Sequence, residues 1–202
     1  MLIHLLLAAG AGTRMGGNKG VLPLGGRPIL SRLLDAFEAS RLDRAIVVSG
    51  AEAPAVEALC ARPRVDVVRN VHWPEGQTSS LQTALGVLPR DATAFLIHPV
   101  DHALVDARVL DALASAFVAL PQERRESAIL RPVFEGGYGH PVLYALRYAA
   151  EFLALRPEQS ARIVYRRRID AVLPVAVADD RSMFDLDTPE DLARAERRLR
   201  VL

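Results

Sequence analysis

The segment Leu7-Ala8-Ala9-Gly10-Ala11-Gly12-Thr13-Arg14-Met15-Gly16-Gly17-Asn18-Lys19 brings together the groups that hold a polyphosphate. Glycine lacks the Cβ that keeps a ligand away from backbone N–H groups, and a loop of such amides forms a nest for phosphate oxygens. Arg14 and Lys19 add two cations within the same few residues. Two better-known phosphate loops are excluded by spacing. A Walker A loop needs a lysine followed by a hydroxyl residue after its last glycine, whereas here Gly17 is followed by Asn18, Lys19 and Gly20. A dinucleotide fingerprint needs Gly-x-Gly-x-x-Gly, and Gly10, Gly12 and Gly16 leave one residue too many. The strand near 45–49 also ends in Ser-Gly, with no acid to read a ribose diol, so a nicotinamide or flavin cofactor is not expected.

Carboxylates supply the second kind of chemistry. Asp101 closes the apolar run Ala94-Phe95-Leu96-Ile97-His98-Pro99-Val100, where it can ligate Mg²⁺ or simply make a turn. Asp185 and Asp187 precede Thr188-Pro189-Glu190-Asp191, a sequence that reads as a helix cap, a proline at the first helical position and acids in the first turn. Two further aspartates are more than a cap requires. Ser79 and Gln82 fit a Ser-x-x-Gln capping box, and Gly76 before them permits close backbone approach to a flat ligand. Trp73 either shields such a pocket or packs at its rim. Gly139-His140-Pro141 reads as a turn entering a strand, with His140 placed to donate to an anion or to a buried carbonyl. The run Arg166-Arg167-Arg168 is either a phosphate contact or a solvated face.

These residues need a scaffold, and the pattern around them supplies one. Val- and Ile-rich runs predict strands near 2–8, 45–49, 65–69, 94–98, 127–133, 141–144 and 171–177. Helical periodicity predicts helices near 28–39, 53–61, 80–88, 106–119, 145–154, 158–166 and 189–200, with Val109, Leu110, Leu113, Phe117 and Leu120 as a core stripe. Alternation of the two predicts an α/β fold, a single Rossmann-like three-layer domain over residues 1–202 with a mostly parallel sheet. Ligands of such sheets lie beyond the carboxyl ends of the strands, which is where the glycine loop, Asn70 and Asp101 all fall.

Composition narrows the classes further. The balance of 25 basic and 24 acidic side chains gives no electrostatic footprint for nucleic acid. The single cysteine, Cys60, forbids an internal disulfide and a cysteine-based zinc site, which suits a reducing cytoplasm. No segment approaches the roughly 18 apolar residues of a membrane span, and the N-terminal apolar stretch reads as a buried strand rather than a signal peptide.

The loop and four further segments together resemble the nucleotidyltransferases whose loop reads LAAGxGxRMGxxK, within them the molybdenum cofactor cytidylyltransferase-like (MobA/MocA-like) branch. Asn70-Val71-His72-Trp73 through Gly76 to Ser80, Asp101-His102-Ala103, Gly139-His140-Pro141, and Asp185-Leu186-Asp187-Thr188-Pro189-Glu190-Asp191-Leu192 fall in that family's order. The resemblance implies the nucleotide-diphospho-sugar transferase type of fold. It implies transfer of CMP from CTP to a phosphorylated small molecule, most simply molybdopterin or its molybdenum form, with Mg²⁺ and release of pyrophosphate. Arg14, Lys19 and Asp101 would be catalytic. The nucleotide would lie on Ala8, Ala9, Gly10, Ala11, Gly12, Thr13, Arg14, Lys19, Asn70, Gly76, Ser79 and Ser80. The acceptor would meet Gly139 and His140, and the metal Asp101 with Asp187 and Asp185, in that order. Ala8-Ala9-Gly10 is the form common among pyrimidine-using members, where a Cβ at Ala9 would narrow the base slot. Ala103 replaces a usual proline and Tyr138 a frequent arginine. Those departures leave room for a sugar- or polyol-phosphate acceptor, or for a non-catalytic nucleotide-binding protein serving a molybdoenzyme or its chaperone.

Overall fold

Leu2–Leu7 forms β1, buried at every position, as a strand covered on both faces must be. The computed structural model describes residues 1–199. After a one-turn helix at Thr13–Met15, a small hairpin of β2 (Pro23–Leu24) and β3 (Arg27–Pro28) leads into α1 (Ile29–Glu38). Next come β4 (Arg44–Ser49), α2 (Ala53–Ala58), β5 (Val65–Arg69), α3 (Gln77–Leu85) and β6 (Ala94–Pro99). The second half adds α4 (Ala107–Ala119), α5 (Gln122–Arg125), β7 (Ile129–Phe134), β8 (Gly137–Tyr138) and β9 (Val142–Ala145). It finishes with α6 (Ala149–Leu153), α7 (Arg162–Arg167), β10 (Val172–Ala176) and α8 (Pro189–Leu199).

The main sheet has the order β10-β7-β9-β6-β1-β4-β5, with β8 paired to β7. β1 lies parallel to β4 and β6, β4 to β5, and β10 to β7, while β9 runs against both of its neighbours. The α/β architecture and mostly parallel sheet expected from the sequence are what the chain adopts. Right-handed crossovers put α1 and α3 on opposite faces, because β1 to β4 and β5 to β6 step in opposite directions across the sheet. α1 packs with α4, and α3 with α6. On the α6 side, Phe95, Tyr144 and Phe152 form a cluster with ring centroids 5.0–6.0 Å apart. One edge of this sheet gathers the carboxyl ends of β1, β4, β5 and β6. Because β9 is antiparallel, its beginning, just after His140-Pro141, reaches the same edge.

Predicted strand ends agree with those observed to within two residues, but helix ends differ for identifiable reasons. α3 starts at Gln77 rather than near 80, with Gly76 as its N-cap residue, so Ser79 and Gln82 do not form the expected capping box. The Ser79 hydroxyl instead bonds the carbonyls of His72 and Gly76, and the Gln82 amide donates to the carbonyls of Phe152, Leu153 and Leu155. The helix expected over 158–166 begins only at Arg162, since the preceding loop is tied to α3 through Thr78 Oγ1, which donates to the Gln159 carbonyl at 2.6 Å. The segment expected near 145–154 divides into a turn at Leu146–Tyr148 and α6. At α8, Thr188 and Asp191 cap each other's amides at 3.0–3.2 Å, as the sequence suggests. Residue 200, the last of that predicted helix, lies outside the described residues.

Candidate active site

The glycine loop is held shut by its own backbone. Gly12 sits at φ +58°, and a Cβ there would collide with the Gly17 carbonyl oxygen. Asn18, fully buried, fastens the base of the loop. Its Nδ2 donates to the carbonyls of Ala8 (2.7 Å) and Ala51 (3.1 Å), and its Oδ1 accepts from the Gly20 amide at 2.8 Å. Glu52, in the left-handed region at φ +53°, accepts the Asn18 amide at 2.8 Å. With both neighbours anchored, Lys19 projects from a fixed point.

Lys19 Nζ lies 2.8 Å from Asp187 Oδ1 and 3.5 Å from Asp101 Oδ2, uniting the first, third and last of the five sequence segments at one place. The Asp101 and Asp187 loops are joined directly by the Leu186 amide, which donates to the Asp101 carbonyl at 3.0 Å. Burial raises the Asp101 pKa against the opposing pull of Lys19, whereas the hydrogen bond from Lys19 lowers that of Asp187. Asp101 Oδ1 is buried and has no hydrogen-bond partner. A bare carboxylate oxygen there suits a hard cation, and Mg²⁺ characteristically takes one or two carboxylates and completes its shell with substrate oxygens and water. No cluster of three or more acidic, histidine or cysteine ligands occurs among the described residues, and Asp101 and Asp187 are the two carboxylates that meet at Lys19. Asp185 is exposed and makes no ion pair with Lys19; it lines the larger cleft instead.

Two clefts meet at Asp101. One, of about 210 Å³, is lined by Ala9, Gly10, Gly12, Lys19, Gly76, Ser80 and Trp73. The other, of about 450 Å³, is lined by His102, Arg131, His140, Tyr144, Tyr165 and the Asp185–Asp187 loop among others. Gln77, Pro99 and Asp101 border both. Gly76, at φ +107°, has open space where a side chain would stand, beside the start of α3.

Several expected contacts lie behind the walls. Ala8 is buried beneath the loop, and Asn70 and Ser79 face each other rather than the cleft. Asn70 Nδ2 donates to Ser79 and Ser80 Oγ at 2.9 and 3.0 Å, and its Oδ1 accepts the His72 amide. Ala11 does not line either cleft, and Thr13 and Arg14 are exposed at the rim, where Arg14 still helps lower the Asp187 pKa. Gly139 is buried and packs so tightly on Ser182 that a Cβ would overlap its carbonyl. His140 does line the larger cleft, its ring 4.4 Å from that of His102. Burial lowers both pKa values, to about 3 for His140 and about 4 for His102, so both rings are neutral at pH 7.

Sequence reasoning passed over Asn18, Glu52, Gln77, Arg131 and Tyr165. Arg131 had a visible signal, since it is a lone cation inside the apolar run Ile129-Leu130-Arg131-Pro132-Val133. Glu52 and Tyr165 gave none, because Asn18 and Arg131, which they meet, each lie 34 residues away.

Comparison with known proteins agrees with this geometry. Residues 4–172 match the MobA-like NTP transferase domain. The molybdenum cofactor guanylyltransferase of Cereibacter sphaeroides is 30% identical over 203 residues, covering 98% of this chain and 97% of that protein. The 2-C-methyl-D-erythritol 4-phosphate cytidylyltransferase of Prochlorococcus marinus (strain MIT 9313) is 36% identical over 124 residues, 58% of this chain and 54% of that protein, so the match spans about half of its length. In structure, a nucleotidyl transferase from Methanothermobacter thermautotroptrophicus superposes with a TM-score of 0.82 at 22% identity, covering 100% of this chain and 99% of that one. The glycine loop with its lysine, the carboxylates facing it and the match over most of the chain lead to one assignment: this protein belongs to the MobA-like NTP transferase family and is a nucleotidyltransferase.

Proposed function

We propose that the protein transfers CMP from CTP to the phosphate of a small acceptor, with molybdopterin or its molybdenum form as the leading candidate, releasing pyrophosphate. The observation that carries this reading is the meeting of two clefts at Asp101, with Lys19 between Asp101 and Asp187. The smaller cleft suits a nucleotide, with its base against Gly76 and Trp73 and its phosphates along Gly10, Gly12 and Lys19. The larger suits an acceptor that reaches Asp101 from the other side.

A phosphate monoester needs no general base, because its second pKa, near 6, leaves it largely ionised at pH 7. The neutral His102 and His140 rings are therefore spared proton transfer and wall the acceptor cleft. What remains for the protein is to align the reactants and cancel their charge, the two effects that govern transfer at phosphorus. The loop amides and Lys19 neutralise the triphosphate, while Arg14 contributes from the rim. Asp101 and Asp187 would hold Mg²⁺, which when bound draws charge from the departing pyrophosphate.

Ala9 supports the choice of base. Its methyl stands beside Gly50 and Trp73 so closely that a Cβ on Gly50 would lie 2.8 Å from both. Ala9 and Trp73 both line the smaller cleft, and the family resemblance implies that a Cβ at Ala9 narrows the slot toward a pyrimidine. GTP is the second reading, favoured by the full-length likeness to a guanylyltransferase. We expect Ala9→Gly to raise the ratio of GTP to CTP turnover by about tenfold, equivalent to about 1.4 kcal/mol, measured as pyrophosphate release with each triphosphate. An unchanged ratio would remove Ala9 from base selection. The reading as a whole is tested by pyrophosphate release across a panel of triphosphates and acceptors. Release with sugar or polyol phosphates but not with molybdopterin would replace the acceptor, and tight CTP binding without turnover on any acceptor would make the chain a nucleotide-binding maturation factor.

A further inference from the structure

Arg131 is a half-buried cation in β7 that faces the larger cleft and makes no salt bridge among the described residues. Its guanidinium lies 5.3 Å from the ring centroid of Tyr138 and 5.1 Å from that of Tyr165. Nε donates to the Gly139 carbonyl at 3.0 Å, which fixes one end of the fork. The terminal nitrogens have only a contact of 3.5 Å to the Tyr138 carbonyl. A guanidinium held between two aromatic faces is oriented in advance, and its planar fork matches two oxygens of a phosphate. Two further arginines line the same cleft from α7. Arg162 and Arg166 are four residues apart, hence on one helical face, and neither has a salt bridge among the described residues.

Other features do less. The ion pairs of Asp106 and Asp179 with Arg108 and Arg181 balance internally beside a small surface hollow. Arg168, beside Arg167 in another hollow, is already paired with Glu151. Arg131 differs in being oriented, half-buried and without a counter-ion at a cleft that reaches Asp101.

We propose that Arg131, clamped by Tyr138 and Tyr165, is the anchor for the acceptor's dianionic phosphate, with Arg162 and Arg166 drawing that anion into the cleft. This rests on the reading of the larger cleft as the acceptor site. It makes Arg131 a specificity determinant: phosphate monoesters enter and neutral alcohols do not.

Phenyl phosphate is a suitable probe, titrated calorimetrically into the wild-type chain, Arg131→Gln and Arg131→Lys, with benzyl alcohol as the neutral control. The expected result is saturable binding of phenyl phosphate to the wild type and none of benzyl alcohol. Arg131→Gln should weaken it about tenfold or more, and Arg131→Lys, which keeps the charge but not the fork, by less. CTP affinity and melting temperature should stay at wild-type values in both Arg131 variants. Wild-type affinity for phenyl phosphate in Arg131→Gln, no binding by the wild type, or a joint loss of CTP affinity and melting temperature would overturn the proposal. If CTP fails to bind the wild type while phenyl phosphate still depends on Arg131, the nucleotide reading falls and the anion site stands.

Discussion

Lys19→Ala should lower turnover about a thousandfold or more and leave the protein folded. A thousandfold loss corresponds to about 4 kcal/mol of transition-state stabilisation, in keeping with removal of one fixed charge from a site that works by charge alone. Lys19 is the cation that the loop presents to both carboxylates, at 2.8 and 3.5 Å, and Arg14 at the exposed rim cannot take its place. The fold should survive because Asn18, not Lys19, fastens the loop. Asp101 is also eased toward its neutral form: burial already raises its pKa, and without the lysine it rises further. The check is steady-state pyrophosphate release, paired with thermal melting. Activity within tenfold of wild type would remove Lys19 from the reaction, and an unfolded variant would show that its ion pairs, rather than Asn18, hold the site together.

The second large effect is on stability against acid. His4 of β1 and His98 of β6 are wholly buried, with His4 Nε2 2.8 Å from His98 Nδ1 and His98 Nε2 3.1 Å from the His102 carbonyl. A carbonyl only accepts, so His98 carries its proton on Nε2 and its Nδ1 accepts from His4. Protonating His98 would set N–H against N–H. Burial lowers the His4 pKa to about 3 and that of His98 well below 6.5. The sign follows from that lowering. Below pH 6.5 the unfolded chain protonates His4 and His98 while the folded chain resists, and His102 and His140, lowered to about 4 and about 3, act in the same direction, so stability is full above 6.5 and falls as pH drops toward the folded values. A histidine whose pKa is so lowered contributes about 1.4 kcal/mol per pH unit below 6.5, so His4 alone costs about 2 kcal/mol at pH 5 and His98 adds in the same direction, a sizeable part of an ordinary domain's stability. Asp101 opposes this modestly, since its raised pKa lets the folded state bind a proton first. Urea unfolding at pH 7.5, 6.5, 5.5 and 5.0 measures the effect. A flat profile across that range would show that the two rings titrate alike in folded and unfolded chains.

How much of this was legible in advance depends on where each residue's partners lie. β1, β4 and β6 are buried over five or six successive residues, and such runs announce themselves. The glycine loop is equally local, and Gly10, Gly12 and Lys19 line the smaller cleft. Asp101 and Asp187 were legible as carboxylates at loop ends, but their joint hold on Lys19 spans 168 residues of sequence and emerges only from the sheet order. Ser79 and Gln82 misled because a local capping pattern was overruled by distant carbonyls at the end of α6, which claimed the glutamine. Asn70 has the composition of a ligand contact, yet its amide is wholly occupied in bracing the turn before α3. The His4–His98 pair hides in two apolar runs that no local pattern connects. Arg131 stands out in its strand, but its two tyrosine neighbours come from β8 and α7.

The central claim, that a loop of amides and Lys19 facing Asp101 and Asp187 receives a nucleoside triphosphate, is tested most directly by calorimetric titration of the protein with CTP in Mg²⁺. One saturable site per chain, displaced by pyrophosphate and weakened when Mg²⁺ is withdrawn, is the result predicted. Failure of CTP, GTP and every other nucleoside triphosphate to bind under those conditions would contradict it.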